Sequence, residues 1–434
     1  MIKEGKLNIL KVVIAMMLLT SSLMVLQIAG QSFFLLLQIA LCVYMFFITK
    51  RVVIEKSFFL LFITVEAIIS MAFSILSDMP LSYKKGSVYM TILLVIMYFV
   101  SAYVIYLLDY KEIDMNFIKM CIKVMFIVQM HWTIIQYVLF TVMGIDINNI
   151  IFVETLGMVE EASAYKVGNY FMPSGFCWHP SVLVPIVVLS YFMFESYYLK
   201  ILTLLTAFLC RNSTALICIL LCIGVSILRY IVEILRTKKV RKNVLILFIL
   251  MITLGLGVAY STGILDMIID KIVYLLQRIF GLVNDHGSGD AHRRYYTEYF
   301  NVVDNSSIPQ VLFGYGIGCS GYPFTEMFGQ YGNHASWAVE SDIMNILISR
   351  GIVGFVLYYG MLFYIAIRGF KISYKYLCTT FILIIGGITY NIQFDWLFFI
   401  NIFMFYCVNK GINWFDSSES NKKEKLDIIK ANIL

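Results

Sequence analysis

Residues 88–108 read VYMTILLVIMYFVSAYVIYLL, an unbroken run without a charged side chain. As a helix rising 1.5 Å per residue, it is about as long as the ~30 Å hydrocarbon core of a bilayer is thick. Lys84 and Lys85 precede it and Asp109 closes it, so charge sits where water would begin. Similar runs recur along the chain, each continuously apolar and lacking the two-residue alternation of a membrane β-strand. Across 434 residues, 60% are hydrophobic and 14% are charged, too little polar surface to cover a soluble globule of this size. The expected class is an all-α polytopic membrane protein.

Spans are expected near 12–28, 32–49, 58–76, 88–108, 117–143, 181–199, 201–212, 213–235, 244–262, 343–366, 377–391 and 395–409. That makes about twelve, or ten to twelve if the short run KILTLLTAFLC at 200–210 is tilted or re-entrant and the last two spans are also short. The N-terminal segment with Lys3, Lys6 and Lys11 resembles a signal peptide, but no small-residue cleavage site follows, and it is read as a retained first span. The basic turn RTKKVRK at 236–242, the turn carrying Arg368, Lys371 and Lys375, and the Lys-rich tail 411–434 all fall on the side of the N-terminus. Positive-inside bias therefore favours both termini in the cytoplasm. It also accounts for the net charge of +6 without a nucleic-acid partner.

Two segments then face outward, 144–180 and 263–341. The larger opens with DMIIDKIVYLLQRIFGLV at 266–283, apolar at helical spacing, which predicts an amphipathic helix on the membrane surface or packed on the bundle. Gly314, Gly316 and Gly318 lack a βαβ context, so they predict a tight turn and no dinucleotide site. Most of the nine cysteines lie in apolar runs and have no metal-ligand spacing. Cys177 and Cys319 lie on the outer segments, where a disulfide is one alternative and free thiols the other. Glu66 and His131 stand inside spans and are expected to be neutral, hydrogen-bonded interhelical contacts, or relay groups if the chain were a transporter. Arg350 is expected to reach outward to the headgroups or a lipid phosphate.

Four stretches, CRNSTALICILL (210–221), HRRYYTEYF (292–300), LFGYGIG (312–318) and ESDIMNILISRGIVGF (340–355), occur in an order that resembles the O-antigen polymerase and O-antigen ligase superfamily, the Wzy-type polymerases of bacterial surface polysaccharides. MPSGFCWHPSVL (172–183) is a weaker echo. One departure is visible: where ligase-like members carry a His-Asn pair before the closing glycines, this chain has Val339, Glu340 and Ser341, and its nearby histidine is His334. The departure leans toward polymerase and away from ligase.

The resemblance implies a multi-pass protein of the bacterial plasma (inner) membrane. It would join polyprenyl-diphosphate-linked oligosaccharide repeat units into O-antigen, capsule or exopolysaccharide at the outer face. A flippase and a chain-length regulator of the same pathway are the implied partners. A departing diphosphate calls for preorganised cations, and guanidinium offers paired, permanent donors. Arg211, Arg293 and Arg294 are the candidates for that role, with interfacial anchoring as the alternative for Arg211. An attacking sugar hydroxyl needs a base, for which His334, Glu340 and Asp342 are candidates; the two carboxylates could equally cap the next helix. Trp178 and His179 are candidates for holding sugar, or an interfacial anchor. No cofactor or metal is expected, since the outer segments lack an Asp-x-Asp cluster. A lipid-linked oligosaccharide flippase or an O-antigen ligase are the alternative functions.

Overall fold

The computed structural model describes residues 4–28, 31–49, 58–158, 165–167, 170–177, 179–210, 212–236, 273, 288–328, 339, 341–389 and 395–415. The expected span 244–262, most of the amphipathic segment 266–283 and the tail beyond Phe415 lie outside the described residues.

The described chain is helical apart from two short antiparallel ladders, Gln27–Ile28 with Gln31–Ser32 and Tyr165–Val167 with Tyr170–Met172. The helices are α1 (Glu4–Thr20), α2 (Phe33–Thr49), α3 (Phe58–Leu76), α4 (Leu81–Asp109), α5 (Met115–Met143), α6 (Leu183–Met193), α7 (Tyr197–Leu209) and α8 (Ser213–Arg236). They continue with α9 (Ser288–Asp304), α10 (Ile308–Phe313), α11 (Tyr322–Phe328), α12 (Asp342–Phe370), α13 (Tyr374–Thr389) and α14 (Asp395–Lys410). Among the described residues, α3, α4, α5, α8 and α12 are long and apolar enough to cross a membrane. The chain is thus an α-helical, membrane-embedded protein.

The boundaries follow local chemistry. Asp114 caps α5 by accepting from the Asn116 amide at 3.1 Å, and Gly144 ends it in the left-handed region at φ 67°. The first helix departs from expectation: it starts at Glu4 and stops at Thr20 instead of running to Ile28. Thr20 and Ser21 turn their hydroxyls onto the carbonyls of Met16 and Leu18, at 2.7 and 2.8 Å, which satisfies the open end of the helix. The expected spans 181–199 and 201–212 are also shorter than read. At 1.5 Å per residue α6 and α7 measure about 16 and 20 Å, well under a bilayer core. Every residue of α6 is buried, so this helix packs inside protein on all sides.

The chain divides into two compact units, Met1–Ile219 with Ser306–Leu434, and Leu220–Asn305. In the larger unit, helix ends gather in two groups. At one end Lys119 donates to the Asn413 carbonyl at 2.6 Å, Tyr376 to the Ile412 carbonyl at 2.8 Å, and Lys410 pairs with Asp109 at 2.7 Å. The start of α5, the end of α4 and the end of α14 therefore lie together. The opposite end carries the loops: Cys319 sits against the Tyr83 carbonyl at 3.3 Å, and Asn212 reaches Ser181 at 2.7 Å. In the smaller unit α9 is a helix carrying Glu298, which accepts from Asn301.

Candidate functional site

The segment Pro173–Cys177 enters the larger unit without regular structure and lies along one face of α5. A backbone that leaves water needs replacement partners. Glutamine side chains, each both donor and acceptor, supply them. Gln136 Oε1 accepts from the Ser174 and Gly175 amides at 3.2 and 3.0 Å, and Gln129 Oε1 from the Phe176 amide at 3.3 Å. Asn148 donates to the Gly175 carbonyl at 2.8 Å and is itself held by Trp132 Nε1 at 2.9 Å. Gly175 has φ +66°, and a Cβ there would lie 2.8 Å from Thr133 Oγ1, so only glycine allows this contact with α5. Gln129 is the midpoint of α5, which means that the loop reaches about half the depth of the helix.

His179 follows this segment. Its Nδ1 accepts from the Ser181 amide at 3.1 Å, capping the turn Pro180–Val182 that leads into α6. Burial pushes its pKa down to about 4, so the ring is neutral near pH 7 and its proton belongs on Nε2. A neutral imidazole suits hydrogen bonding to a sugar oxygen better than charge pairing. The protonation linkage has a definite sign. With the folded pKa below the ordinary value of 6.5, the unfolded chain binds more protons between about 4 and 6.5. Stability from this group is complete above about pH 6.5 and is lost as pH falls through about 4. Thermal unfolding in detergent should show that decline, and His179→Asn, which keeps an acceptor for the Ser181 amide, should remove the part of it due to His179. An unchanged profile would contradict the burial argument.

Asn212 joins this segment to a second one. Its Nδ2 donates to Ser181 Oγ at 2.7 Å, while its Oδ1 accepts from the Ala215 amide at 3.1 Å at the start of α8. The stretches around 172–183 and 210–221 are therefore in contact. Arg211 and Trp178 lie outside the described residues, each adjacent in sequence to a residue of this junction.

A second joint forms around the glycines at 314–318. Helix α12 is broken at Gly351, where φ is 65° and ψ −169°. The break frees the carbonyls of Ile348 and Ser349, which accept from the amides of Tyr315 and Gly316, both at 2.9 Å. Ser70 of α3 adds a bond to the Ser349 carbonyl at 3.1 Å. Gly314 and Gly351 meet backbone to backbone; a Cβ on Gly351 would lie 2.6 Å from the Gly314 amide nitrogen. The glycine run is more than a tight turn: it caps a broken helix.

Arg350 stands at the break and corrects one expectation. It is buried, and Nε and Nη2 both bond the carboxylate of Glu66 on α3, with Nε at 3.1 Å from Oε2. It does not reach the headgroups, and Glu66 is a hydrogen-bonded interhelical contact, as expected. His131 is an interhelical contact as expected, with Nε2 at 3.1 Å from the Tyr198 hydroxyl.

Asp342 is the first residue of α12, 2% exposed, and its Oδ2 accepts from Tyr359 at 3.2 Å. Ser320 is drawn to the same half-helix, donating to Asn345 at 2.5 Å and accepting from the Val339 amide at 2.9 Å. His334 and Glu340 lie outside the described residues. Arg293 and Arg294 are on α9 in the smaller unit, and their side chains are not among those described. Cys177 and Cys319 are free thiols with separate neighbours, the Ser22 and Tyr83 carbonyls. Sequence reading missed Gln129, Gln136 and Asn212. The available signal was a pair of glutamines seven residues apart, two turns along one face of α5, which marks one polar stripe.

No family model matches this chain, and no curated protein matches it.

Proposed function

We propose that the protein is a glycosyltransferase that joins polyprenyl-diphosphate-linked oligosaccharide repeat units at the outer face of a bacterial plasma membrane. One observation supports this reading above the others. Short degenerate motifs widely separated in sequence form two touching pairs: CRNST with FCWHPS through Asn212 and Ser181, and LFGYGIG with SRGIVGF through the broken helix. A shared site needs such convergence, whereas unrelated chance matches have no reason to meet.

In this reading the loop end of the larger unit faces outward. Arg211 in the larger unit receives the departing diphosphate, and the N-termini of α6 and α8 add favourable dipoles nearby; Arg293 and Arg294, in the smaller unit, remain separate candidates for a phosphate ligand. Neutral His179 and Trp178 hold the sugar. His334, Glu340 and Asp342 remain the candidate bases, with Asp342 the least suited because Tyr359 already occupies its carboxylate. The reaction breaks an anomeric C–O bond, so the guanidinium donors carry the main stabilisation of developing negative charge.

Deleting the gene and resolving lipid-linked and surface glycans by electrophoresis tests the reading. The expected outcome is single repeat units where the wild type has long polymer; long polymer accumulating on the lipid carrier would indicate a ligase instead. Alanine at Arg211 or Arg293 should lower polymer formation by about 10²- to 10³-fold, the loss typical of one well-aimed donor. Normal polymer in both variants at normal expression would overturn the assignment of those arginines.

A further inference from the structure

Helix α14 ends at Lys410, and Gly411 turns the chain back in the left-handed region at φ 68°. The next four residues, 412–415, lie across the end of the larger unit opposite the loops, and their backbone is bonded at each position. The Ile412 amide donates to the Cys407 carbonyl at 2.8 Å. The Tyr376 hydroxyl on α13 bridges two residues, donating to the Ile412 carbonyl at 2.8 Å and accepting from the Trp414 amide at 2.9 Å. Lys119 on α5 donates to the Asn413 carbonyl at 2.6 Å, and the Asn413 side chain accepts from the Phe415 amide at 3.1 Å.

The side chains fill the same space. Trp414 and Phe415 are fully buried. The Trp414 ring lies nearly parallel to Phe403 of α14 at 6.4 Å, with the Lys119 ammonium 5.9 Å from its centre. Phe415 meets Tyr376 edge-on at 5.1 Å and Phe192 of α6 at 6.4 Å. Backbone and ring are held by the same partners: Tyr376 bonds the chain and packs on Phe415, while Lys119 bonds the chain and sits over Trp414. The segment therefore lets go as a unit or not at all. Release would carry two large aromatic side chains into water and take backbone groups of residues 412, 413 and 414 from their partners.

We propose that residues 412–415 are a fixed plug: they keep this end of the larger unit closed, so that no substrate passes through the unit from one end to the other. A carrier that presents its site alternately to two sides must open both ends in turn. Here one end is stapled by the backbone that follows α14. The inference does not rest on the polymer-forming reading, because the closed end can be observed on purified protein without substrate. It does separate an enzyme that works from the loop end from a lipid-linked oligosaccharide flippase.

Cys407 is the reporter. It is fully buried, its carbonyl receives the Ile412 amide, and it stands four residues from Phe403, on the face of α14 that Trp414 covers. Cys177, buried at the loop end, is the control. The full-length protein in detergent is treated at pH 8 with a charged, water-soluble maleimide, and both cysteines are followed by peptide mass spectrometry. Wild-type Cys407 is expected to react no faster than Cys177. Trp414→Ala and the milder Tyr376→Phe, which keeps the ring and removes the bridging hydroxyl, should each speed Cys407 at least tenfold and leave Cys177 unchanged. Wild-type Cys407 reacting faster than Cys177 would overturn the proposal, and so would a Tyr376→Phe protein in which Cys407 reacts at the wild-type rate. Equal acceleration of both cysteines would overturn it as well, because residues 412–415 would then support the fold as a whole and close no particular end.

Discussion

Alanine at Gly351 is expected to leave little folded protein, whereas alanine at Gly360, nine residues further along the same helix, should be tolerated or mildly stabilising. At Gly351 two costs combine. The backbone sits at φ 65°, ψ −169°, a conformation essentially reserved for glycine, worth about 1–3 kcal/mol. The added Cβ also meets the Leu312 carbonyl and the Gly314 nitrogen, the latter at 2.6 Å. These are backbone atoms that cannot swing aside, so overpacking adds roughly another 1–3 kcal/mol. The sum is a large share of the ~5–15 kcal/mol by which domains are normally stable. A Cβ on Gly360 meets nothing within 4 Å, and replacing a helical glycine there gains about 0.5–1 kcal/mol. Fluorescence-detected size-exclusion and thermal melts in detergent compare the two. Similar profiles for both variants would mean that the capped break is not as described.

Truncating one partner of the buried ion pair should be nearly as damaging. Glu66→Ala leaves the Arg350 guanidinium uncompensated among buried groups, and Arg350→Ala does the same to the carboxylate; either loss costs about 3–5 kcal/mol. The double variant Glu66→Met with Arg350→Met should recover much of that deficit, because removing both charges also removes the desolvation that each imposed. Arg350→Lys should fall between, since a single ammonium cannot reproduce the two donors, Nε and Nη2, that now hold the carboxylate. Melting temperatures of the wild type, Glu66→Met, Arg350→Met and the double variant form a double-mutant cycle. Additive losses would show that the two side chains do not depend on each other.

Much of the helical frame was legible from apolar run length, because a bilayer demands that length. Residues 58–76 match α3, and the expected 88–108 and 117–143 lie within α4 and α5. Boundaries failed where hydroxyls or short helices intervened. Thr20 and Ser21 closed α1 early on the carbonyls of Met16 and Leu18, and α6 is apolar through burial inside protein, which hydropathy cannot distinguish from burial in lipid. The site was less legible than the frame. His179 was a candidate from the sequence, but its neutral state depends on surroundings that only folding provides. Gln129 and Gln136 passed as isolated polar residues because their partners, the amides of 174–176, lie some forty residues away.

The sequence alone determined the class: long uncharged runs with few charges admit only helices in a bilayer, since every backbone group must be satisfied locally there. It also offered the short stretches on which the family resemblance rests. What tertiary structure alone decided is which of those stretches meet. Arg350 could have reached outward or inward by its position in the run, and packing against Glu66 turned it inward. Three glycines could have been a turn of any kind, and the carbonyls freed at Gly351 made them a cap. Both outcomes depend on unsatisfied polar groups finding distant partners, and such partnerships have no local signature in a linear chain.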